Sequence, residues 1–217
     1  SMKFEIGSEK AEKAGESDIR AEIAAEFDAK IKVKDTAVTF DTGTLKVSKA
    51  NIIVKDITFG ILGAGKSATY AADYHLDDKG DPIRNKIEGL DGVPGFTVSA
   101  LGYKAGFGFN GQANADKYAV LAHAETKSFD LAEGVTAQAA AGMKVTDASK
   151  AFGVSAKAAL SKDLLSASIA ADFAVAEKVA LEVAAKAAYD FVSADVYFFS
   201  VDGFETNVLD AKLAASK

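Results

Sequence analysis

The sequence IRAEIAAEFDAKIKV, from Ile19 to Val33, decides the fold class of this chain. Apolar residues occupy every odd position, and charged residues occupy every even position except Ala24. Because side chains alternate between the two faces of a β-strand, this period of two predicts a long strand with one apolar and one charged face. The charged residues that we expect to face water or a lumen are Arg20, Glu22, Glu26, Asp28, Lys30, Lys32 and Lys34.

The same alternation returns along most of the chain. It predicts further strands over 36–40, 45–59 (one or two strands), 96–109, 118–126, 135–145, 152–160, 165–175, 179–191, 196–201 and 204–213. Turns are expected at 41–44 and at Asp202-Gly203, a tight-hairpin signal. Since parallel crossovers need a dozen or more residues, these short connections predict an all-β, antiparallel up-and-down meander.

A helix is the competing interpretation of the alanine-rich segment VALEVAAKAAYDF at 179–191, because alanine has the highest helix propensity. However, the large residues of this segment remain at odd positions from Val179 to Phe191. A period of 3.6 residues would leave that parity within two turns. We therefore predict a strand here.

Composition excludes several classes of protein. The 217 residues are 49% hydrophobic with no tryptophan or cysteine, so disulfides and thiol nucleophiles are absent. A net charge of −6 argues against nucleic acid as a partner. No apolar run approaches the roughly 20 residues of a membrane helix. We predict a single β-rich domain over 1–217, an excised portion of a longer chain, with an irregular loop at 75–95. Ser1-Met2 resembles a tag remnant, so the missing signal peptide does not indicate where the native protein lies.

Two motifs resemble nucleotide-binding sequences. GILGAGKS matches the phosphate-loop pattern, in which backbone N–H groups and a lysine bind phosphates, through Gly60, Gly65, Lys66 and Ser67. That pattern requires a following helix, whereas the chain continues as ATYAADY and a meander. We predict a glycine-rich turn or bulge without a bound cofactor, and nucleotide binding is a third hypothesis for function.

The second motif, GFGFNG at 106–111, lies inside a predicted strand and not at a strand-to-helix turn. Glycines at such positions more often mark curvature or the close approach of another segment. His75 and His123 are too isolated to suggest a metal site, and Asp77, Asp78 and Asp81 lack the spacing of a calcium loop. We find no catalytic set and expect no enzymatic activity.

Several phrases resemble the major outer sheath protein family of treponemes, which includes the treponemal repeat proteins. They are the segments 15–40, 55–61 (KDITFGI), 95–107 (GFTVSALGYKAGF), 133–145 (EGVTAQAAAGMKV) and 187–199 (AAYDFVSADVYFF). The resemblance implies a pore-forming protein of the bacterial outer membrane and cell surface that also contacts host extracellular-matrix proteins. The chain departs from the family by lacking a signal peptide and by ending in AASK instead of an aromatic residue.

Long one-sided strands occur both in outer-membrane barrels and in extended soluble sheets. The leading hypothesis is an outer-membrane β-barrel, or a large part of one, that acts as a passive, non-selective pore with membrane lipid as its partner. It includes a possible adhesin role and possible homo-oligomers. The alternative is a soluble β-rich adhesin domain in which the apolar face packs on a core and the loop at 75–95 binds the ligand.

Overall fold

The computed structural model describes residues 2–7, 19–34, 37–71, 89–112 and 117–215, and for 2–7, 26–34, 37–46, 48 and 112 it describes the backbone alone. These residues form fourteen strands and no helix. The strands are β1 Met2–Gly7, β2 Ile19–Lys34, β3 Ala37–Val54, β4 Ile57–Gly60, β5 Gly95–Ala100, β6 Tyr103–Gln112, β7 Lys117–Glu125, β8 Phe129–Ala132, β9 Val135–Thr146, β10 Lys150–Lys162, β11 Leu165–Val175, β12 Val179–Tyr189, β13 Val192–Val201 and β14 Thr206–Ala215.

All fourteen strands belong to one antiparallel sheet whose spatial order follows the chain order. β8 continues the line of β7 after a break at 126–128, and both pair with β9. The remaining strands each pair with their sequence neighbours, with β1 and β14 at the two ends of the described sheet. The prediction of an all-β up-and-down meander is confirmed. The strand over 179–189 is confirmed as well, although it ends at Tyr189 and Phe191 lies in the following turn.

The predicted strand over 96–109 is wrong, because it is a hairpin of β5 and β6. Leu101 and Gly102 form its two-residue turn, with φ angles of 53° and 84°. Positive φ at both central residues matches the right-handed twist of the flanking strands. The sequence carried a signal for this turn, since the large apolar residues change from even positions (Phe96, Val98) to odd ones (Tyr103, Phe107) across it.

Two predicted turns also differ from the structure. Residues 41–44 are not a turn, because β3 runs through them opposite β2. The pairing shifts from Lys30 opposite Thr42 to Ile31 opposite Phe40, so Asp41 is the extra residue of a β-bulge. Asp202-Gly203 does not form a two-residue hairpin, because Val201 pairs with Thr206 and leaves a four-residue connection.

The two ends of the sheet differ in the length of their connections. One end carries the two-residue turns 55–56, 101–102, 133–134, 163–164 and 190–191. The other end carries the longer connections 147–149, 176–178 and 202–205 and the described parts of 61–94, which are 61–71 and 89–94. We call the first the short-turn end and the second the long-connection end. The connections 8–18, 35–36 and 113–116 lie outside the described residues.

The two faces of the sheet differ in chemistry. The register aligns the odd residues of β9 with even residues of β10 and odd residues of β11, which places Met143, Phe152 and Ile169 on one face. Every strand from β2 to β14 adds at least one exposed large apolar side chain to this apolar face. The opposite, polar face contains serines, glycines and charged residues, yet it holds the buried core: Asp172 is 0% exposed, whereas Ile169 is 52% exposed.

Candidate functional site: a strap on the polar face

The polar face is covered by the two described ends of the connection between β4 and β5. We call residues 61–71 and 89–94 the strap. Its two legs pair with each other through hydrogen bonds from Ala64 N to Val93 O (3.1 Å) and from Ser67 N to Leu90 O (3.0 Å). The Ser67 hydroxyl accepts a further bond from Leu90 N at 2.8 Å. These bonds satisfy backbone groups of an irregular segment that would otherwise be buried without partners.

Glycines in the sheet make room for the strap. A Cβ atom on Gly106 would overlap the carbonyl oxygen of Ala64, and one on Gly108 would lie 2.7 Å from the Ala64 Cβ. A Cβ on Gly142 would lie 2.8 Å from the Ser67 Cβ. The close approach expected from glycines within a strand is therefore confirmed at GFGFNG. The segment that approaches is the GILGAGKS sequence itself, so the two motifs pack on each other.

A buried carboxylate holds the strap to the polar face of the sheet. Asp172 on β11 accepts hydrogen bonds from the backbone N–H groups of Tyr70 and Ala71, at 2.7 and 2.8 Å. Such bonds to an ionised acceptor are shorter and stronger than neutral ones. They span a sequence separation of about one hundred residues, so local patterning could not have predicted them.

Three further side chains of the polar face bind backbone carbonyl groups of the strap. Ser155 Oγ donates to Ala68 O at 3.0 Å, and Lys144 Nζ donates to Asp91 O at 2.6 Å. His123 Nε2 lies 2.6 Å from Ala64 O, which assigns the ring proton to Nε2 because a carbonyl only accepts. Side chains of β7, β9, β10 and β11 thus contact the strap, chiefly at the backbone of the strap.

Tyr70 is the strap's largest buried side chain. Its hydroxyl donates to Glu125 Oε1 at 3.0 Å, and Lys157 Nζ lies 4.4 Å from the ring centroid. Burial raises the pKa of the Tyr70 hydroxyl, and the hydrogen bond to Glu125 raises it further. The Glu125 carboxylate is fixed in turn by Gln138 Nε2 at 2.9 Å. Tyr70 therefore links the strap to the sheet through a hydrogen-bonded network with Glu125 and Gln138.

An apolar cluster on the polar face surrounds the end of the strap. Tyr70 and Ala71 pack with Ala140, Ala170, Ala184, Tyr197 and Phe199. The adjoining Glu182 is fully buried, and Tyr197 OH donates to its Oε1 at 2.9 Å. The small alanines of β9, β11 and β12 thus provide the space in which the strap lies.

The structure places the predicted site residues in different surroundings. Gly60 ends β4, and Gly65, Lys66 and Ser67 lie in the strap. The described residues after Lys66, 67–71, form no helix. The motif is therefore neither a tight turn nor a bulge but the start of the strap. Lys66 is exposed, and the absence of a phosphate role for it stays a prediction.

The charged alternation of β2 is described in part. Arg20 and Glu22 lie on the polar face, where Lys49 Nζ contacts a carboxylate oxygen of Glu22. Ile19 and Ile23 lie on the apolar face and are 63% and 46% exposed. The side chains of Glu26, Asp28, Lys30, Lys32 and Lys34 lie outside the described residues, as do His75, Asp77, Asp78 and Asp81.

The apolar face has its own order. Near the short-turn end the exposed aromatic side chains are Tyr103, Phe129, Tyr189 and, in a turn, Phe191. From the strand middles to the long-connection end they are Phe59, Phe96, Phe107, Phe109, Tyr118, Phe152, Phe173 and, in a connection, Phe204. The strand centres between them present mostly alanine and valine. On β9, the residue opposite Phe129 is Ala137 and the residue opposite Phe152 is Met143. Ala137 and Met143 are six residue steps apart, so the two aromatic levels are separated by ~20 Å along the strand.

Some classes of site are not found. Within the described residues, no group of histidines and carboxylates is arranged to hold a metal ion. The described segments contain no helix of the length and apolarity that crossing a membrane requires. No protein-family model matches the chain, and no curated protein is significantly similar to it. The strap, the polar face and the apolar face are therefore the features from which function is inferred.

Proposed function

We propose that the chain forms an outer-membrane β-barrel, or a large part of one, that passes small solutes through a lumen narrowed by the strap. The apolar face would contact lipid and the polar face would line the water-filled interior. The observation that carries the proposal is which face the described residues cover: the strap packs on the polar face, and none of the described segments packs on the apolar face.

This placement argues against the soluble alternative. A soluble sheet lowers its free energy by covering its apolar face, because each buried Å² of apolar surface contributes about 25 cal/mol. Here both described ends of the long connection, the strap, lie on the other face, next to Asp172, Ser155 and Lys144. An apolar face exposed on thirteen consecutive strands is far larger than the apolar patches of soluble monomers. Lipid is the solvent that such a face fits.

Two further features support a membrane orientation. Outer-membrane barrels have short periplasmic turns, longer extracellular loops and aromatic residues at both interfaces. The short-turn end and its aromatic residues would then face the periplasm, and the strap would fold inward from the cell-surface side. Contact with host matrix proteins and self-association stay predictions of the treponemal resemblance.

Reconstitution of the chain into liposomes loaded with a small dye tests the proposal. We expect the chain to insert into the liposomes with a β-sheet spectrum and to release the dye. Dyes of equal size but different charge should be released at the same rate, because the proposed pore is non-selective. Detergent-free solubility as a monomer that ignores vesicles would support the soluble alternative. If the protein folds and inserts but the liposomes retain the dye, the pore is refuted and the membrane location is not.

The adjacent pair Ile169 and Ser168 supplies matched variants for the same experiment. Ile169 lies on the apolar face and Ser168 on the polar face. A lysine facing lipid near the membrane centre costs about 2–4 kcal/mol, whereas lumen positions tolerate charge. Ile169→Lys should reduce insertion strongly, and Ser168→Lys should insert as the unmodified chain does.

A further inference from the structure

Two apolar grooves meet on the apolar face beside the break between β7 and β8. The first has a volume of about 430 Å³ and is lined by Phe129, Ala156 and Ile169 among others. The second has a volume of about 520 Å³ and is lined by Tyr103, Ala124 and Val154 among others. Thr126 and Ala139 line both grooves. Each volume lies in the range of pockets that hold small organic ligands.

Lys127 follows Thr126, which lines both grooves, and its ammonium group lies between two aromatic rings of the apolar face, whereas the groove-lining Lys104 and Lys157 belong to the polar side of their strands. Lys127 Nζ is 6.0 Å from the ring centroid of Tyr103 and 5.6 Å from that of Phe129, and these two rings contact each other edge to face. Each ring belongs to a different groove, so the ammonium group is held between them on the apolar face. Within the described residues, no carboxylate forms an ion pair with Lys127, and the side chain is exposed.

The position of this cation along the sheet matters. Tyr103 begins β6 directly after a two-residue turn, and Phe129 begins β8 close to the turn 133–134. Lys127 therefore lies at the aromatic level of the short-turn end, and the grooves extend from it toward the middle of the apolar face. In a membrane this level is where lipid headgroups meet the hydrocarbon.

We propose that an anionic phospholipid of the leaflet at the short-turn end binds here, with its phosphate on Lys127 and its two acyl chains in the two grooves. The inference rests on the proposed membrane location. Charge complementarity selects this occupant, since an ammonium group forms charge-assisted hydrogen bonds with phosphate oxygens. An anionic headgroup lacks the cationic group by which a zwitterionic headgroup would repel Lys127. A second copy of the chain would instead place Lys127 against another apolar face without a counter-charge.

Native mass spectrometry of the full chain, released from detergent micelles with added lipid, tests this site. The probes are a phosphatidylglycerol and a phosphatidylcholine with identical acyl chains. We expect one phosphatidylglycerol to be retained per chain in preference to phosphatidylcholine. Lys127→Gln should lower that preference about tenfold, the loss expected for a hydrogen bond to a charged group. Lys162→Gln is the matched control, because Lys162 is exposed at the same end of the sheet.

A second variant tests the grooves separately from the charge. Ala139→Leu fills space that both grooves share, so it should reduce retention of both lipids while Lys127 stays in place. Equal retention of the two lipids by the unmodified chain, or an unchanged preference in Lys127→Gln, would overturn the proposal. A dimer mass that Ala139→Leu abolishes would overturn it in favour of a second copy. Each of these results would leave membrane insertion intact, whereas failure to enter liposomes would refute the proposed function as well.

Discussion

Removal of the Asp172 carboxylate should release the strap while leaving the sheet folded. Asp172 is fully buried and accepts two backbone N–H bonds from the strap, at Tyr70 and Ala71. Its own strand is held independently, because β11 pairs along its whole length with β10 and β12. Asp172→Ala therefore removes the anchor of the strap without removing any bond of the sheet.

The free energy with which Asp172 holds the strap follows from its two hydrogen bonds. A hydrogen bond to a charged group contributes about 1.5–3 kcal/mol, so two of them contribute about 3–6 kcal/mol if they act independently. Since 1.4 kcal/mol is a factor of ten, the population with a detached strap should rise by about 10²–10⁴-fold. Asp172→Asn keeps one carbonyl acceptor but no charge, and its effect should fall between those of the unmodified chain and Asp172→Ala.

Limited trypsin digestion in detergent micelles measures this population. Cleavage after Lys66 reports detachment, because a protease needs an extended, free backbone and residues flanking Lys66 are hydrogen-bonded or buried. When reclosing is faster than cleavage, the rate follows the open population. We expect cleavage after Lys66 to accelerate at least about 10²-fold in Asp172→Ala. In the liposome assay, the same variant should release the dye faster.

The control is Asp130→Ala, which removes an exposed aspartate from β8. Its cleavage rate should equal that of the unmodified chain. If Asp172→Ala and Asp130→Ala were cleaved after Lys66 at the same rate, with both sheets folded, the two N–H bonds would not hold the strap. Loss of the β-sheet spectrum in Asp172→Asn would show that Asp172 supports the sheet and not the strap alone.

Three further outcomes are expected. Gly106→Ala should detach the strap and raise cleavage after Lys66, because its Cβ overlaps the Ala64 carbonyl, whereas Gly153→Ala should not, since its Cβ would meet nothing closer than 3.8 Å. Tyr70→Phe should remove a tyrosine that ionises above the ordinary range in an absorbance titration, because burial and Glu125 raise the pKa of that hydroxyl. The stabilisation that Tyr70 provides is complete below about pH 10, and it is lost as the pH rises above the pKa of a free tyrosine. Alkaline detachment of the strap should therefore begin at about pH 10 in the unmodified chain. The detachment should be weaker in Tyr70→Phe, which has no hydroxyl to ionise.

The sequence predicted the strands where one periodicity dominates. The odd apolar positions of Val135, Leu165 and Val179 onward give β9, β11 and β12 nearly to the residue. The prediction failed at Leu101-Gly102 because this pair lacks the asparagine or aspartate of common hairpin turns. It failed at 41–44 because Asp41, Gly43 and two threonines suit a bulge as well as a turn.

The strap was beyond what the sequence could predict. Its contacts join residues about one hundred positions apart, and periodicity reports only which face of a strand a residue occupies. One signal was available: Gly106, Gly108 and Gly142 lie on the polar side of strands whose apolar sides carry phenylalanines or methionine. Missing side chains on that face indicate that another segment approaches it, but not which segment.

The number of strands constrains how this sheet could close in a membrane. Thirteen strands form the hydrogen-bonded path, because β8 only extends β7. Neighbours in the path are antiparallel, so the first and the thirteenth strand run in the same direction. Direct pairing of β1 with β14 would therefore be parallel, and antiparallel closure needs one further strand, or another odd number of them, between the two edges. Lipid cannot satisfy the backbone groups of an open edge, so the proposed barrel requires one of these two arrangements.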